Sequence, residues 1–371
     1  LYNILNQIRV GTLDIHSLIV IKNDKLVLET YLDPYTEKDL HNLKSVSKSV
    51  LSALAGIAIE QGLISDVKAK LSEALPEYFE PTADARKGDI TLHHLLTMTS
   101  GFDFAEHSER AGKWFQAKNP VRDAIALPIT STPGERFRYA TINTHLFSAW
   151  LTKAAHMNTP AFAEKHLFTP LGIKDYYWVK DPQGVYWGGT QLYLTPMDMA
   201  RFGMLYLKKG RYEEEQLIPE QWVDDSTKWR HSVDTHSGYG YWWWRIPASD
   251  GYVAAGWGGQ RIGVFPSKDL LVVVTASNQQ HARYIFRQLY SGITPVKVLG
   301  DDPAAFAKLS SLVAELATPA KKTANRIPQA AASISGKKYR FTDNPLGISA
   351  MTISFDQPDT AQLEMEIDDR T

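Results

Sequence analysis

Hydrophobic positions alternate along both ends of the chain, which predicts strands there. Residues 15–21 and 25–31 are rich in β-branched side chains, and the polar turn Lys22-Asn23-Asp24 between them indicates a hairpin. Strand patterns return only late in the chain, at residues 251–255, 260–265 and 270–276. Residues 279–290 then have the spacing of a closing helix.

The middle of the chain has helical spacing instead. Helices are predicted at residues 45–59, 92–97, 141–155 and 195–208. The last begins with Thr195-Pro196, a typical cap followed by a first-turn proline. Strands that bracket a helical middle predict an α+β fold: an antiparallel sheet from about residues 10–35 and 250–295, flanked by helices, with an inserted all-helical region at about residues 65–245.

Composition changes after Gly300. Residues 302–332 are rich in alanine and predict a helix and then a linker, and three short strands are predicted at residues 337–341, 349–355 and 361–367. The expected organisation is a catalytic domain at 1–300, a helix and linker at 301–336, and a β-rich accessory segment at 337–371, which is a module or the beginning of one.

Charge and cysteine content exclude several classes of function. Across 371 residues the net charge is −1, so no nucleic-acid partner is expected. The chain has no cysteine, which excludes disulfides and thiolate chemistry. The longest apolar runs, residues 50–59 and 270–276, are too short to span a membrane.

The strongest chemical signal is Ser45-Val46-Ser47-Lys48, which precedes a long apolar helix. Residues three apart share a helix face, so the Lys48 amine reaches the Ser45 hydroxyl, and burial would lower the pKa of Lys48 toward working pH. Such a pair is a serine nucleophile with a lysine base. The same spacing recurs at Ser65 and Lys68 and at Ser335 and Lys338, but neither lysine enters an apolar helix.

Two further segments are candidates for the site. Tyr139 follows a turn and would either relay a proton or simply pack under its own helix. Trp257-Gly258-Gly259, followed by Gln260, lies between two strand patterns and predicts an edge-strand segment whose glycines let a substrate approach the backbone. The alternative is a bulge or tight turn. For the other Trp-Gly-Gly, at Trp187, a structural role is favoured.

Other reaction classes lack their motifs. The chain has no Gly-x-Ser-x-Gly, no His-Glu-x-x-His and no phosphate-binding loop. Its histidines, including His93, His94, His145 and His156, lack metal-ligand spacing and are interpreted as structural. No metal or organic cofactor is expected.

The motifs together resemble the serine β-lactamase-related superfamily, in the branch of class C β-lactamases, DD-peptidases, β-lactamase-fold esterases and 6-aminohexanoate-dimer hydrolases. The resemblance covers about residues 10–295. It rests on Ser45-Val46-Ser47-Lys48, residues 91–101, Tyr139-Ala140-Thr141, residues 189–203 and residues 256–260.

The resemblance implies the fold class and a role for each motif residue. It implies Ser45 as nucleophile, Lys48 as its base partner and Tyr139 as catalytic tyrosine. The oxyanion hole implied is formed by the backbone N–H groups of Ser45 and Gln260. Substrate binding is expected from Thr141, Trp257, Gly258 and Gly259.

Two departures from the family pattern bear on substrate. Thr141 stands where the family has asparagine, and Trp257 stands where β-lactamases have a lysine that meets the β-lactam carboxylate. Strand alternation places Arg261 and Gln260 on opposite faces, so Arg261 is not expected to restore the cation. Hydrolysis of esters or linear amides is therefore expected, with short esters preferred over β-lactams.

Alternatives remain open. Within enzymes, the chain would be a DD-peptidase or a weak class C-type β-lactamase. From another class, it would be a penicillin-recognising or ligand-sensing protein without turnover. The resemblance also implies a small-molecule substrate and a periplasmic or secreted location, and a monomer or weak oligomer is expected.

Overall fold

The computed structural model describes residues 1–80, 84–235, 237–247, 249–293, 302–318, 326–342, 347–358 and 360–367. Its strands are β1 (Ser17–Lys22), β2 (Lys25–Tyr31), β3 (His41–Asn42), β4 (Tyr177–Trp178), β5 (Leu192–Leu194), β6 (Arg211–Tyr212), β7 (Glu215–Gln216), β8 (His231–Asp234), β9 (Ser237–Tyr239), β10 (Trp244–Arg245), β11 (Tyr252–Ala255), β12 (Arg261–Phe265), β13 (Leu270–Thr275), β14 (Lys337–Arg340), β15 (Ile348–Gln357) and β16 (Thr360–Ile367). Its α-helices are α1 (Tyr2–Arg9), α2 (Val46–Glu60), α3 (Leu71–Ala74), α4 (Leu92–Leu96), α5 (Glu109–Phe115), α6 (Pro120–Ala126), α7 (Ile142–Ala155), α8 (Thr159–Ala163), α9 (Pro196–Leu207), α10 (Glu220–Ser226), α11 (Gln279–Gly292), α12 (Pro303–Leu316) and α13 (Gln329–Ile334).

The main sheet joins the two ends of the first 293 residues. Its order is β2-β1-β13-β12-β11-β10-β9-β8, and its neighbouring strands are antiparallel. The central pairing places Ser17 opposite Thr275 and Lys22 opposite Leu270. This arrangement confirms the α+β fold that the strand and helix patterns predict. The sheet also takes in β8, β9 and β10, which lie within residues 65–245, the region that the sequence predicted as all-helical.

Side chains of the central strands pack on both faces of this sheet. In β13, Leu271 and Val273 join a core that includes α2 and α9, while Val272 and Val274 join a second core with α1 and α11. Successive residues of a strand point to opposite faces, so an apolar run such as β13 fits a strand covered on both sides. The helices therefore enclose the sheet.

Helix α2 lies inside the first core. Thirteen of its fifteen residues, 46–58, are buried, and it packs against α7, α10 and β11. Its N-cap residue is Ser45, and no side chain caps the helix there. The Ser45 hydroxyl is thus not used to stabilise its own helix.

The described chain divides into two compact units, and the division differs from the predicted boundary at residue 300. The first unit is Leu1–Thr318, because α12 packs against α1 and β2. Leu316 also accepts a hydrogen bond from the backbone N–H of Asp33, at 3.4 Å. Helix α12 therefore belongs to the first unit, whereas the sequence analysis placed this helix, with the linker, after the first domain.

The second unit, Pro319–Thr371, contains a three-stranded antiparallel sheet in the order β14-β15-β16. These strands lie where the sequence predicts them. The linker predicted before residue 337 falls partly on residues 319–325, which lie outside the described residues.

Candidate active site

Ser45 stands at the start of α2, facing a cleft of about 540 Å³. The residue before it, Lys44, has a φ of +51°, in the left-handed region that non-glycine residues rarely adopt. Its backbone N–H donates to Asn42 Oδ1 at 2.9 Å, which holds this turn. A strained residue beside a serine at a cleft is typical of functional sites.

Lys48 is buried directly behind Ser45. Its Nζ donates to Ser45 Oγ at 3.0 Å, to Thr141 Oγ1 at 3.0 Å and to the Gly189 carbonyl at 2.9 Å. Only 1% of the residue is exposed. Burial lowers the pKa of Lys48 to about 8, although the Glu106 carboxylate acts in the opposite direction. A substantial fraction of the amine is therefore neutral near pH 8 and able to accept a proton.

Glu106 was not among the residues that the sequence pattern indicated. Its carboxylate accepts from the Thr141 backbone N–H at 2.9 Å and from the Thr141 hydroxyl. Since that hydroxyl also accepts from Lys48, a continuous hydrogen-bonded chain runs from Glu106 through Thr141 and Lys48 to Ser45. Glu106 lies in a loop, 35 positions from Thr141, and no local motif marks it.

The same contacts bear on the role of Thr141. Its side chain is buried, and its hydroxyl both donates to Glu106 and accepts from Lys48. This geometry favours a role in positioning Lys48. The predicted contact of Thr141 with substrate stays a prediction.

Tyr139 faces the same cleft from the loop before α7. Its ring stacks on Trp244 with centroids 5.6 Å apart and meets Tyr239 edge-on at 6.0 Å. Lys48 Nζ lies 5.0 Å from the ring centroid. Burial raises the pKa of Tyr139, while its hydrogen bond with Ser45 acts in the opposite direction. The hydroxyl thus stays protonated at neutral pH, which suits a proton relay better than a base.

The first Trp-Gly-Gly has a role that the sequence did not indicate. A Cβ on Gly189 would lie 2.3 Å from Thr144 Oγ1 and 3.0 Å from Lys48 Nζ. Only glycine therefore allows the carbonyl of residue 189 to approach the lysine. Trp187 itself is buried and stacks on His145 at 4.5 Å, as its structural interpretation expects.

The prediction that Trp257-Gly258-Gly259 is an edge-strand segment is wrong. These residues form one 3₁₀ turn between β11 and β12, which lie inside the sheet. Gly258 and Gly259 have φ of +81° and +105°, and a Cβ on Gly259 would lie 2.9 Å from the Asn278 carbonyl. The turn and its packing account for both glycines, which is the alternative that the sequence left open. A contact of either glycine with substrate stays a prediction.

Trp257 and Gln260 flank this turn. The Trp257 side chain is 65% exposed and lines the cleft, and its ring lies beside that of His107, with centroids 5.1 Å apart.

Gln260 is buried, and its Nε2 donates to the Ala276 carbonyl at 2.7 Å. The backbone carbonyl of Gln260 accepts from the Gly256 N–H at 2.8 Å. These bonds fix the backbone beside the cleft. The predicted oxyanion donors, Ser45 and Gln260, remain predictions.

The expectation that Arg261 points away from the cleft is wrong, because Arg261 lines it. The alternation argument required Gln260 and Arg261 to be successive strand residues. Strand β12 begins only at Arg261, and Gln260 ends the preceding turn.

The remaining motif residues lie elsewhere. Ser65 and Lys68 are exposed and outside any helix, and Lys338 pairs with Glu366 at 2.5 Å in the second unit. His145 is buried against Asp181 at 3.0 Å, and His93 lies 2.9 Å from the Tyr241 hydroxyl.

In the described ranges, no group of three acidic or histidine side chains is arranged to hold a metal ion. The helices of those same ranges are all too short or too polar for a bilayer crossing.

Comparison with known proteins identifies the family. The beta-lactamase family model matches residues 16–288, most of the chain. The chain belongs to the beta-lactamase family. The chain is 26% identical to a beta-lactamase of Escherichia coli K12, and the alignment covers 56% of this chain and 58% of that relative. It is 21% identical to a 6-aminohexanoate-dimer hydrolase of Paenarthrobacter ureafaciens, over 75% of its length and 76% of the relative's.

The match to several curated relatives is partial. The family member spans about half the length of the first relatives that it matches. A solved structure of an octameric penicillin-binding protein homologue from Pyrococcus abyssi aligns with a TM-score of 0.65 at 17% identity, covering 97% of this chain and 86% of that one. At this identity the likeness establishes the fold.

Proposed function

We propose that this beta-lactamase family chain is a serine hydrolase that cleaves carboxylic esters or linear amides through an acyl-enzyme. The observation that carries the proposal is the buried Lys48 amine, 3.0 Å from Ser45 Oγ, with its pKa lowered to about 8. A neutral amine at this distance is placed to accept the serine proton.

The proposed reaction has two halves. Ser45 Oγ attacks the substrate carbonyl while its proton passes to Lys48, and Tyr139 relays a proton to the leaving alcohol or amine. The backbone N–H groups of Ser45 and Gln260 would hold the oxyanion, each contributing about 3 kcal/mol. Water then attacks the acyl-enzyme and loses a proton to Lys48, and Lys48 returns this proton to Ser45 Oγ as the bond to the acyl group breaks and the acid is released. The chain's own side chains supply every proton transfer in this scheme.

The comparisons support a hydrolase but leave the substrate open. The relatives' names differ, one a beta-lactamase and one a 6-aminohexanoate-dimer hydrolase. Replacement of the family lysine by Trp257 supports esters or linear amides over β-lactams. The other candidates are a DD-peptidase or weak β-lactamase, and a ligand-sensing protein that acylates without turnover. The periplasmic or secreted location and the monomeric or weakly oligomeric state stay predictions.

Mass spectrometry after fluorophosphonate treatment tests the nucleophile. We expect a single adduct, on the peptide that contains Ser45, and complete loss of labelling and ester turnover in Ser45→Ala. The matched control is Ser65→Ala, which removes a serine of the same spacing from an exposed loop. An adduct on any other residue, or turnover that survives Ser45→Ala, would contradict the proposal. An adduct without steady-state turnover would support the sensing alternative.

The pH profile tests the role of Glu106. If neutral Lys48 is the base, kcat/KM should fall as pH decreases through about 8. Glu106→Gln keeps an acceptor for Thr141 but removes the charge that raises the pKa of Lys48, so the acidic limb should move to lower pH. Glu109 is an exposed residue of the same region, and Glu109→Gln should leave the acidic limb of the pH profile at the wild-type pH. If the acidic limb of Glu106→Gln stays at the wild-type pH or moves to higher pH, Glu106 does not raise the pKa of Lys48 in the way proposed.

A further inference from the structure

Two residues beside the proposed site have backbone conformations that favour glycine. Lys44, directly before Ser45, has a φ of +51°. Gln191, two positions after Gly189, has a φ of +63°. A residue other than glycine is strained in this left-handed region, and the strain persists only where surrounding contacts fix the backbone. Both residues therefore need contacts that hold them in place.

The side chain of Asn42 contacts both of them. Its Oδ1 accepts from the Lys44 backbone N–H at 2.9 Å, and its Nδ2 donates to Gln191 Oε1 at 2.8 Å. The same Nδ2 donates to the Tyr193 hydroxyl at 3.0 Å, and this hydroxyl donates to Gln191 Oε1 at 3.3 Å. One amide thus joins the two strained residues through hydrogen bonds from both of its ends.

The backbone ladder between these two segments ends before it reaches the site. Strands β3 and β5 pair with each other, and directly beyond β3 the Leu43 N–H donates to the Leu192 carbonyl at 2.8 Å. In the described part of the chain, no backbone hydrogen bond joins the segments between that point and Ser45 or Gly189. The side chain of Asn42 therefore continues a connection that the backbone does not make.

Each of the two segments carries an acceptor of Lys48. The Nζ of Lys48 lies 3.0 Å from Ser45 Oγ and 2.9 Å from the Gly189 carbonyl. The amine contacts both acceptors, and stays shielded from water, only while the segments keep this spacing. Asn42 is absent from the described lining of the cleft, so it acts on these segments and does not touch a substrate.

We propose that Asn42 is a positioning residue, whose amide fixes the distance between the turn that presents Ser45 and the segment that presents the Gly189 carbonyl. This inference rests on the proposed function, because it concerns how Lys48 activates Ser45. Loss of the amide would admit water to the lysine and reduce the desolvation that lowers its pKa. The pKa of Lys48 would then rise from about 8 toward its ordinary value.

Two other titratable groups face Lys48. The Glu106 carboxylate raises the pKa of Lys48, and the Tyr139 ring centroid lies 5.0 Å from its Nζ. Neither group forms a hydrogen bond with Asn42 among the described residues. Removing the Glu106 charge should lower the pKa of Lys48, whereas removing the Asn42 amide should raise it. The two effects therefore have opposite signs.

The rate of fluorophosphonate labelling, measured by mass spectrometry across a range of pH, tests the inference. In the wild-type protein this rate should fall as pH decreases through about 8. In Asn42→Ala the acidic limb should move to higher pH by about 0.5 or more, so labelling on the acidic side slows about 3-fold or more. At alkaline pH the two rates should agree within about 3-fold, because Lys48 is neutral in both proteins. The kcat/KM for a 4-nitrophenyl ester should show the same pattern.

Three further variants separate positioning from a general loss of stability. Asn119 also accepts a backbone N–H through its Oδ1, that of Arg122 at 3.0 Å, but at the start of α6 and outside the cleft lining. Asn119→Ala should lower the Tm and leave the acidic limb at the wild-type pH. Gln191→Met removes an acceptor of Asn42 Nδ2 and should reproduce part of the shift. Lys44→Gly, added to Asn42→Ala, should move the limb back toward the wild-type pH, because glycine adopts the left-handed φ without strain.

The outcomes distinguish the inference from the proposed function. An acidic limb that stays at the wild-type pH in Asn42→Ala, or that moves equally in Asn119→Ala, overturns the inference and leaves the hydrolase intact. Labelling without ester turnover contradicts the proposed function, and the pH profile of labelling still decides the inference.

A wild-type protein that is not labelled would also contradict the proposed function, and the pH dependence of thermal unfolding then decides the inference. Stability should rise between about pH 8 and 10.5, because the unfolded chain binds the Lys48 proton in this range and the folded protein does not. The contribution of Lys48 is the part of the rise that is missing in Lys48→Met. It should be smaller in Asn42→Ala than in the wild type, and an equal contribution overturns the inference.

Discussion

Lys48→Ala is expected to lower kcat for ester hydrolysis by at least about 100-fold, because a general base contributes about 10²- to 10⁴-fold. Its amine is the group that contacts Ser45 Oγ, Thr141 Oγ1 and the Gly189 carbonyl. The fold should survive, because the change removes a buried cation along with these bonds. Steady-state kinetics together with circular dichroism measure both effects.

Two further lysine variants separate chemistry from structure. Lys48→Arg should not restore turnover, because arginine does not lose its proton at working pH. Lys87→Ala is the matched control: this lysine is also buried, with its Nζ 2.7 Å from the Ile125 carbonyl, but it lies outside the cleft. It should lower thermal stability without a comparable loss of kcat. Near-normal turnover in Lys48→Arg would show that the lysine is only structural.

Tyr139→Phe is expected to lower kcat by about 100-fold or more, since it removes the hydroxyl that relays the proton and keeps the ring that packs on Trp244. The loss should be larger for substrates with a poor leaving group, because these depend most on protonation. Measuring kcat for a 4-nitrophenyl ester and an alkyl ester of the same acid gives the comparison.

Tyr239→Phe provides the control for the tyrosine. This ring meets Tyr139 edge-on at 6.0 Å and is buried, so the substitution tests a neighbouring hydroxyl of the same cluster. It should leave the dependence on leaving group unchanged. Equal losses for the two esters in Tyr139→Phe would argue that the tyrosine only positions Ser45.

Strands and helices such as β2 and α9 were predictable because their hydrophobic residues recur at the regular spacing of a strand or a helix. β2 begins and ends at the residues that the pattern indicated, and α9 begins at Pro196 after a Thr195 cap whose hydroxyl accepts from the Asp198 N–H at 3.1 Å. The proximity of Ser45 and Lys48 followed from helix geometry alone. These are local properties, and each is encoded within a few residues.

The parts that sequence reasoning missed depend on long-range contacts. Glu106 contacts Thr141, which lies 35 positions away in the sequence, and Gly189 contacts Lys48, which lies 141 positions away. Only the folded chain brings these residues together. Arg261 was assigned to the wrong face because one 3₁₀ turn interrupted the alternation on which the argument relied. The division into compact units after Thr318, and not at the predicted residue 300, has a similar cause, since only the packing of α12 against α1 places this helix in the first unit.

The three acceptors of Lys48 have a consequence for how the protein is made. Ser45 and Lys48 leave the ribosome about 140 residues before the carbonyl of Gly189, at a synthesis rate of roughly 5–20 residues per second. Until then the amine of Lys48 is an ordinary solvated lysine, protonated at neutral pH. Under the proposed function, the nascent chain therefore carries an unactivated serine, and Ser45 becomes a nucleophile only when burial lowers the pKa of Lys48.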